Sequence, residues 1–317
     1  MTVSDRDFNL KDEMVTGEYA RQEDLFRDWV TQDGSSVYPV VAGRYHLYVS
    51  LACPWAHRTI IARKLLGLEK VIGMTVVDPW RDNRGWAFTY DSDPMKGFQF
   101  LSEAYRLSDP AYRGRVTVPV LWDGQSECIV NNSEVDIVRM FNDAFSALGH
   151  GDLDLYPEAL RGDIDALDDM IYPNINNGVY RSGFAETQRA YEQAVRGLFK
   201  ALDQLEEQLA TQRYLCGRHI TEADWKLFVT LVRFDPVYYV HFKCNMRRIA
   251  DYVHLWGFLC DLYQQPGVAE TVNFDHIKRH YYMTHTALNP AAIVPVGPAD
   301  MDLRVAHGRE ELGRESL

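Results

Sequence analysis

Hydrophobic and polar positions change period along this 317-residue chain, and each change marks an expected boundary. Residues 1–43 are polar and weakly periodic, which reads as an extended N-terminal arm. RYHLYVS (44–50) then alternates and is rich in β-forming residues, so it predicts a strand. Pro54 suits the first position of a helix; Ile61, Leu65 and Leu68 follow at helical spacing, with Gly67 near the end. KVIGMTVVDP (70–79) predicts a second strand, stopped at Asp78-Pro79. A long irregular stretch, residues 80–105, leads to VTVPVLWDGQSECIVNN. The latter predicts two strands joined by a tight turn at Asp123-Gly124. SEVDIVRMFNDAF (133–145) puts Ile137, Val138 and Phe141 on one face of a closing helix.

The order β-α-β followed by β-β-α is that of a thioredoxin-like domain, placed at residues 44–146. Beyond GHGDLDLYP the period is helical only. Val195, Leu198, Leu202, Leu205 and Leu209 alternate three and four apart, which predicts a long amphipathic helix. ITEADW (220–225) reads as a capping box, Thr221 capping a helix and Asp224 answering at its third position, with Ile220 stapled to Trp225. These residues predict an all-α helical domain over 157–288. From Asn289, NPAAIVPVGP is proline-rich and begins an extended tail (289–317) with a charged, mobile end.

Composition narrows the function. A net charge of −12 argues against nucleic acid or an anionic membrane as the main partner. No run reaches the apolar length of a membrane span, and MTVSDRDFNLKDE is acidic where a signal peptide would be basic, so the cytoplasm is expected. Five cysteines at scattered spacing are neither a disulfide framework nor a zinc pattern, and the ten histidines show no HExxH, so no metal is expected. Asp163, Asp165, Asp168 and Asp169 read as a solvated helix face.

Cys53 changes the picture. It stands where a strand gives way to a helix, immediately before Pro54. Free backbone N–H groups and the positive end of a helix dipole favour thiolate over thiol, so its pKa is expected below the reference of about 8.5. Ala56 occupies the place of the second cysteine in a dithiol motif, so a mixed disulfide at Cys53 has no local partner to resolve it. An incoming small thiol must do so. The bland alternative is a small residue chosen for packing. Val118-Pro119, in VTVPV, fits the cis-proline position of thioredoxin-like domains, where the preceding backbone pairs with a thiol peptide as a strand edge would.

LACPWAHR, the distant RGWAF, RVTVPVLWD, INNGVYRSGFA and the tail HIKRHYYMTHTALNPAAIVPVGP together resemble the Xi-class glutathione transferases, the glutathionyl-hydroquinone reductases. The resemblance runs from about residue 40 to about 298. It implies the glutathione transferase fold and a thiol-dependent cleavage of the C–S bond that joins glutathione to a hydroquinone ring. Position by position, Cys53 matches the catalytic cysteine, Trp86 a tryptophan beside bound glutathione, and Val118 the residue whose backbone pairs with the cysteinyl group. Arg115 falls where a basic residue holds the glycyl carboxylate. Tyr180 and Tyr281 match tyrosines of the aromatic pocket, whose O–H groups stay protonated at neutral pH and can bond a departing phenolate. His276, His280 and His285 read as tail docking. Homodimers are common in the family.

One departure stands out. The family usually has Glu-Ser at the start of the helix after the hairpin, gripping the γ-glutamyl group; here the order is Ser133-Glu134. The helix N-terminus still offers backbone N–H groups to a carboxylate. The thiol is therefore glutathione or another small thiol. An omega-like thioltransferase or dehydroascorbate reductase would share Cys53, while conjugating relatives use Tyr or Ser there. A non-catalytic binding module would need no reactive cysteine.

Overall fold

The computed structural model describes residues 14–15, 18–19 and 22–313, with side chains from 22 to 312. The other residues of the expected N-terminal arm, and the last four of the tail, lie outside the described residues. Four two-residue strands come first: β1 (Met14–Val15) pairs antiparallel with β2 (Glu18–Tyr19), and β3 (Val30–Thr31) pairs parallel with β4 (Tyr38–Pro39). A four-stranded sheet follows, made of β5 (Tyr45–Val49), β6 (Gly73–Val76), β7 (Val120–Asp123) and β8 (Cys128–Asn131) in the order β6-β5-β7-β8. β5 and β6 are parallel, and the β5–β7 and β7–β8 pairs are antiparallel.

β5 alternates in sequence but is buried at all five positions, because it is a central strand covered on both faces. Its polar groups find partners inside. Tyr48 donates to Asp93 Oδ1 at 2.7 Å, and His46 Nε2 lies 2.7 Å from Thr75 Oγ1. Burial pulls His46 down to about 4, so it is neutral at pH 7.

α1 (Pro54–Leu65) starts with proline at its first position and ends in a Schellman motif. Gly67 takes φ 68°, while the Leu68 N–H bonds Arg63 O at 2.9 Å. Arg63 and Lys64 sit in the last turn, matching the helix dipole. α2 (Leu101–Ser108) begins within the stretch expected to be irregular. It lacks a Ser, Thr, Asp or Asn cap, which hides it from a sequence reading. Instead Glu103 reaches back and accepts the Phe100 N–H at 2.9 Å. α3 (Glu134–Asn142) follows β8, burying Ile137, Val138 and Phe141 as expected.

The expected tight turn at Asp123-Gly124 is a four-residue link, residues 124–127, with Glu127 at φ 53°. Asp123 builds it: its carboxylate takes Arg44 Nε at 2.8 Å, Nη2 at 2.6 Å and the Gln125 N–H at 3.0 Å. The expected arm is also more than an arm. The Asp28 N–H bonds Val130 O at 3.1 Å, and the Asn132 N–H bonds Phe26 O at 3.0 Å, so residues 26–28 run antiparallel along the outer edge of β8.

The helical part comprises α4 (Arg161–Ile171), α5 (Gly178–Gly183), α6 (Gln188–Leu209), α7 (Glu222–Arg233), α8 (Tyr239–His241) and α9 (Val253–Tyr263). α6 buries Val195, Leu198, Leu202, Leu205 and Leu209 along one stripe. α7 is buried at every position, and its expected capping box is present: Asp224 Oδ2 accepts the Thr221 N–H at 2.7 Å. Burial lifts the Asp224 carboxyl to about 6 despite these bonds. The tail is extended, but its expected mobile end is anchored at Arg309. That side chain is buried and donates to Leu209 O, Gln212 O and Arg213 O at 3.1, 2.7 and 2.8 Å. It satisfies carbonyls at and just beyond the end of α6.

α10 (Phe274–Thr284) does not stay with the helical part, where the sequence reading places it. Two compact units form: residues 22–153 with Thr271–Ile293, and Asp154–Glu270 with β1, β2 and the chain from Val294. The reason is a set of specific bonds. His57 Nε2 of α1 lies 2.8 Å from Thr271 Oγ1, and His280 Nδ1 lies 2.9 Å from Pro79 O.

Candidate active site

Four loops leave the same end of the sheet. β5 and β6 are parallel with Val49 opposite Val76, so the segments after them, carrying Cys53 and Trp86, start side by side. β7 runs antiparallel with Tyr48 opposite Val120, which brings its entry, Val118-Pro119, to that end. β8 reverses again and delivers Ser133 and Glu134 there too. The topology thus gathers most of the residues expected at the site within the first unit.

Cys53 is the N-cap residue of α1, in an extended conformation, and its carbonyl accepts the His57 N–H at 3.0 Å. Its thiol is partly exposed and points at Val118 O, 3.6 Å away. The Val118-Pro119 bond is cis. Burial pushes the thiols of Cys216 and Cys244 up, and that of Cys260 up to about 12, which keeps all three neutral.

The entry to β7 is fixed by a buried polar knot. Tyr105 of α2 donates to Thr117 O at 3.0 Å, and Asn132 Nδ2 lies 3.3 Å from both the Tyr105 hydroxyl and Thr117 Oγ1. One side chain therefore holds the segment before Val118 against the segment before Ser133. Arg115 lies three residues before Val118, half-buried, with its carbonyl accepting the Tyr112 hydroxyl at 2.5 Å.

Ser133 is the N-cap of α3, and its side chain makes no capping bond. Its N–H is held by Asn131 Oδ1 at 2.7 Å. Glu134, at the first helical position, is paired with Arg58 of α1 at 2.6 Å, both side chains being under a tenth exposed.

Trp86 is buried against an arginine and a histidine. The Arg81 guanidinium lies 5.2 Å from its ring centre, and the His280 imidazole stacks on it at 5.0 Å. Its Nε1 has no hydrogen-bond partner among the described residues. His280 is in turn edge-on to Tyr281 at 5.4 Å, and Tyr281 to His285 at 5.5 Å. Tyr281 itself is only 1% exposed. Tyr180 belongs to the second unit, on α5, within a ring cluster of Phe184, Tyr238 and Phe242.

The structure thus brings together Cys53 with Val118, Ser133 with Glu134, and Trp86 with Tyr281 through His280. The sequence reading missed Arg58 and the placement of His280. A signal for Arg58 was present: an arginine inside the apolar first turns of α1, where a charge needs a buried partner.

Known proteins resemble this chain over most of its length. Residues 52–144 match the glutathione S-transferase N-terminal domain family, and residues 188–259 the glutathione S-transferase C-terminal domain family. Glutathionyl-hydroquinone reductase YqjG of Escherichia coli (strain K12) is 51% identical over 306 residues, covering 93% of each chain. The glutathione-bound structure of YqjG superposes with a TM-score of 0.88, covering 90% of this chain and 96% of that one at 51% identity. The glutathione transferase Xi of Phanerochaete chrysosporium superposes with a TM-score of 0.86 at 51% identity, covering 89% of this chain and 98% of that one. The chain belongs to the Xi-class glutathione transferases, the glutathionyl-hydroquinone reductase family.

Proposed function

We propose that this protein reduces glutathionyl-hydroquinones to hydroquinones at the expense of glutathione. The observation that carries the reading is Cys53 at the N-cap of α1, partly exposed, with Sγ 3.6 Å from the Val118 carbonyl. A thioredoxin-like site pairs a thiol peptide along the backbone at Val118, which sets the peptide's sulfur beside that of Cys53.

In the first step the Cys53 thiolate attacks the glutathionyl sulfur. An S–S bond forms, the S–C(aryl) bond breaks, and its electron pair leaves with the ring carbon, which takes a proton. Tyr281, in the same unit as Cys53, donates its O–H to a ring oxygen as negative charge develops there. In the second step a glutathione thiolate attacks the glutathionyl sulfur of the mixed disulfide, releasing glutathione disulfide and the Cys53 thiolate. The ring gains two electrons and two glutathione sulfurs lose them. No other cysteine takes part in this reading; Cys244 and Cys260 are buried, and burial pushes the thiols of Cys216, Cys244 and Cys260 up.

In this reading Trp86 packs on the bound thiol and offers its Nε1–H, Arg115 holds the glycyl carboxylate, and Val118, ahead of Pro119, pairs with the cysteinyl group. Ser133 and the backbone N–H groups of the first turn of α3 take the γ-glutamyl end, Glu134 being paired with Arg58 and not with the ligand. The reading also places the enzyme in the cytoplasm as a homodimer. Five free thiols suit a reducing compartment.

The test is an assay with a glutathionyl-hydroquinone and free glutathione, following hydroquinone and glutathione disulfide together. Equal amounts of both are expected, with turnover abolished in Cys53→Ala. Turnover retained by that variant would remove the mechanism.

A further inference from the structure

We propose that Arg58, acting through Glu134, sets the charge at the N-terminus of α3 and so makes this site selective for the free carboxylate of a γ-glutamyl group. The inference rests on the thiol-binding part of the reading above and gives Arg58 a role that the reading leaves out.

The nine-residue helix α3 begins with an N-cap, Ser133, whose side chain makes no capping bond, and its first intrahelical bond is Ile137 N–H to Ser133 O. The N–H groups of the first turn and the positive end of the dipole therefore favour an anion. Yet that same turn carries two acids, Glu134 and Asp136. Their charges suit the helix but repel a ligand carboxylate arriving at its end.

Both acids are neutralised, each by an arginine from another segment. Asp136 takes Arg27 Nη2 at 2.8 Å and Asn131 Nδ2 at 3.1 Å. Glu134 takes Arg58 Nη2 at 2.6 Å. The second pair is the informative one. Arg58 is 4% exposed, and its Nε and Nη1 have no hydrogen-bond partner among the described residues. A buried guanidinium ordinarily spends its donors on acceptors around it. Here Glu134 alone receives a bond, and two donors beside the helix terminus are left over, so the end of α3 stays attractive to an anion.

Arg58 also stands five residues after Cys53 on α1, a rise of about 7.5 Å. One rigid helix thus carries the sulfur nucleophile at its start and the charge control of the thiol's far end one and a half turns later. The reversed order of Ser133 and Glu134 is workable because Arg58 takes the acid out of the ligand's way. Arg58 is a positioning residue, since it works through Glu134.

The test compares binding, by calorimetry, of S-methylglutathione with that of its analogue lacking the γ-glutamyl carboxylate; neither can exchange with Cys53. The wild type is expected to prefer the carboxylate form by about tenfold or more. Arg58→Gln exposes the charge of Glu134 and brings the preference to near parity, and in turnover it raises the KM for glutathione with kcat kept. Glu134→Gln keeps or tightens binding of S-methylglutathione, and the double variant R58Q/E134Q recovers the wild-type preference. Preference unchanged in R58Q, or binding of S-methylglutathione lost in E134Q, would overturn the proposal. Should R58Q fail to fold, E134Q and the double variant decide the matter. Failure of the wild type to release hydroquinone would remove the reductase reading and leave this binding comparison standing.

Discussion

Trp86 and His280 stack with ring centroids 5.0 Å apart and 21° between their planes. The contact joins the long loop after β6 to α10, more than 190 positions later in the chain. The same helix holds the loop through His280 Nδ1 on Pro79 O and through Thr284 Oγ1, which accepts the Arg81 N–H at 3.3 Å. His280→Ala should cost about 1 kcal/mol of stability, the typical worth of an aromatic pair. It should also shift the tryptophan emission and raise the KM for glutathione more than it lowers kcat. Fluorescence and steady-state kinetics check this; an unchanged spectrum and KM would mean that Trp86 is held without His280.

The bond between His57 and Thr271 ties the start of the returning segment to α1. Thr271→Val takes the hydroxyl away from a buried imidazole nitrogen, at a cost of about 1 to 3 kcal/mol. Amides of α10 should then exchange with deuterium faster, while those of α6 keep their rate. Equal acceleration in both helices would show global loosening instead.

Asp123 makes stability depend on acid. Burial opposes its charge, but Arg44 and Ser126 hold the carboxyl down at about 2. An unfolded aspartate binds its proton near about 3.9. The contribution is therefore complete above about pH 4 and is lost as pH falls to about 2, a total of roughly 2 kcal/mol. Arg44→Met should cost about 3 kcal/mol or more at neutral pH, because it leaves a buried charge uncompensated. The penalty should shrink on acidification through that window. Urea midpoints at several pH values read it directly, and a penalty independent of pH would contradict the assignment.

Asp224 has the opposite slope. Burial lifts its carboxyl to about 6, above the unfolded value, so the folded state holds the proton more tightly. Stability from this group is greatest below about pH 4 and declines as pH rises to about 6. Asp224→Asn should flatten the curve across that interval, while losing capping strength to Thr221 and Leu215, whose N–H groups its carboxylate now accepts. A slope unchanged in the variant would assign it to another group.

How far the sequence could be read follows from what each residue depends on. Pro54, Gly67 and the α6 stripe are local signals, and a short window suffices for them. Cys53 was legible because a helix N-terminus and a missing second cysteine are both neighbours in sequence. α2 was not, since its N-cap is Phe100 and its start signal comes from Glu103 folding back. The placement of α10 depends on His57 with Thr271 and Trp86 with His280, contacts spanning most of the chain, and no period along the sequence carries them. Arg58 was visible only as an oddity: its meaning needed Glu134, 76 positions away, to be seen beside it.

The most direct test of the central claim is a single turnover without free thiol. Enzyme in excess over a glutathionyl-hydroquinone should release one hydroquinone per substrate molecule, and mass spectrometry of the digested chain should find the glutathionyl group on Cys53. Hydroquinone that appears only after free glutathione is added, or a glutathionyl group found on another residue, would contradict the account.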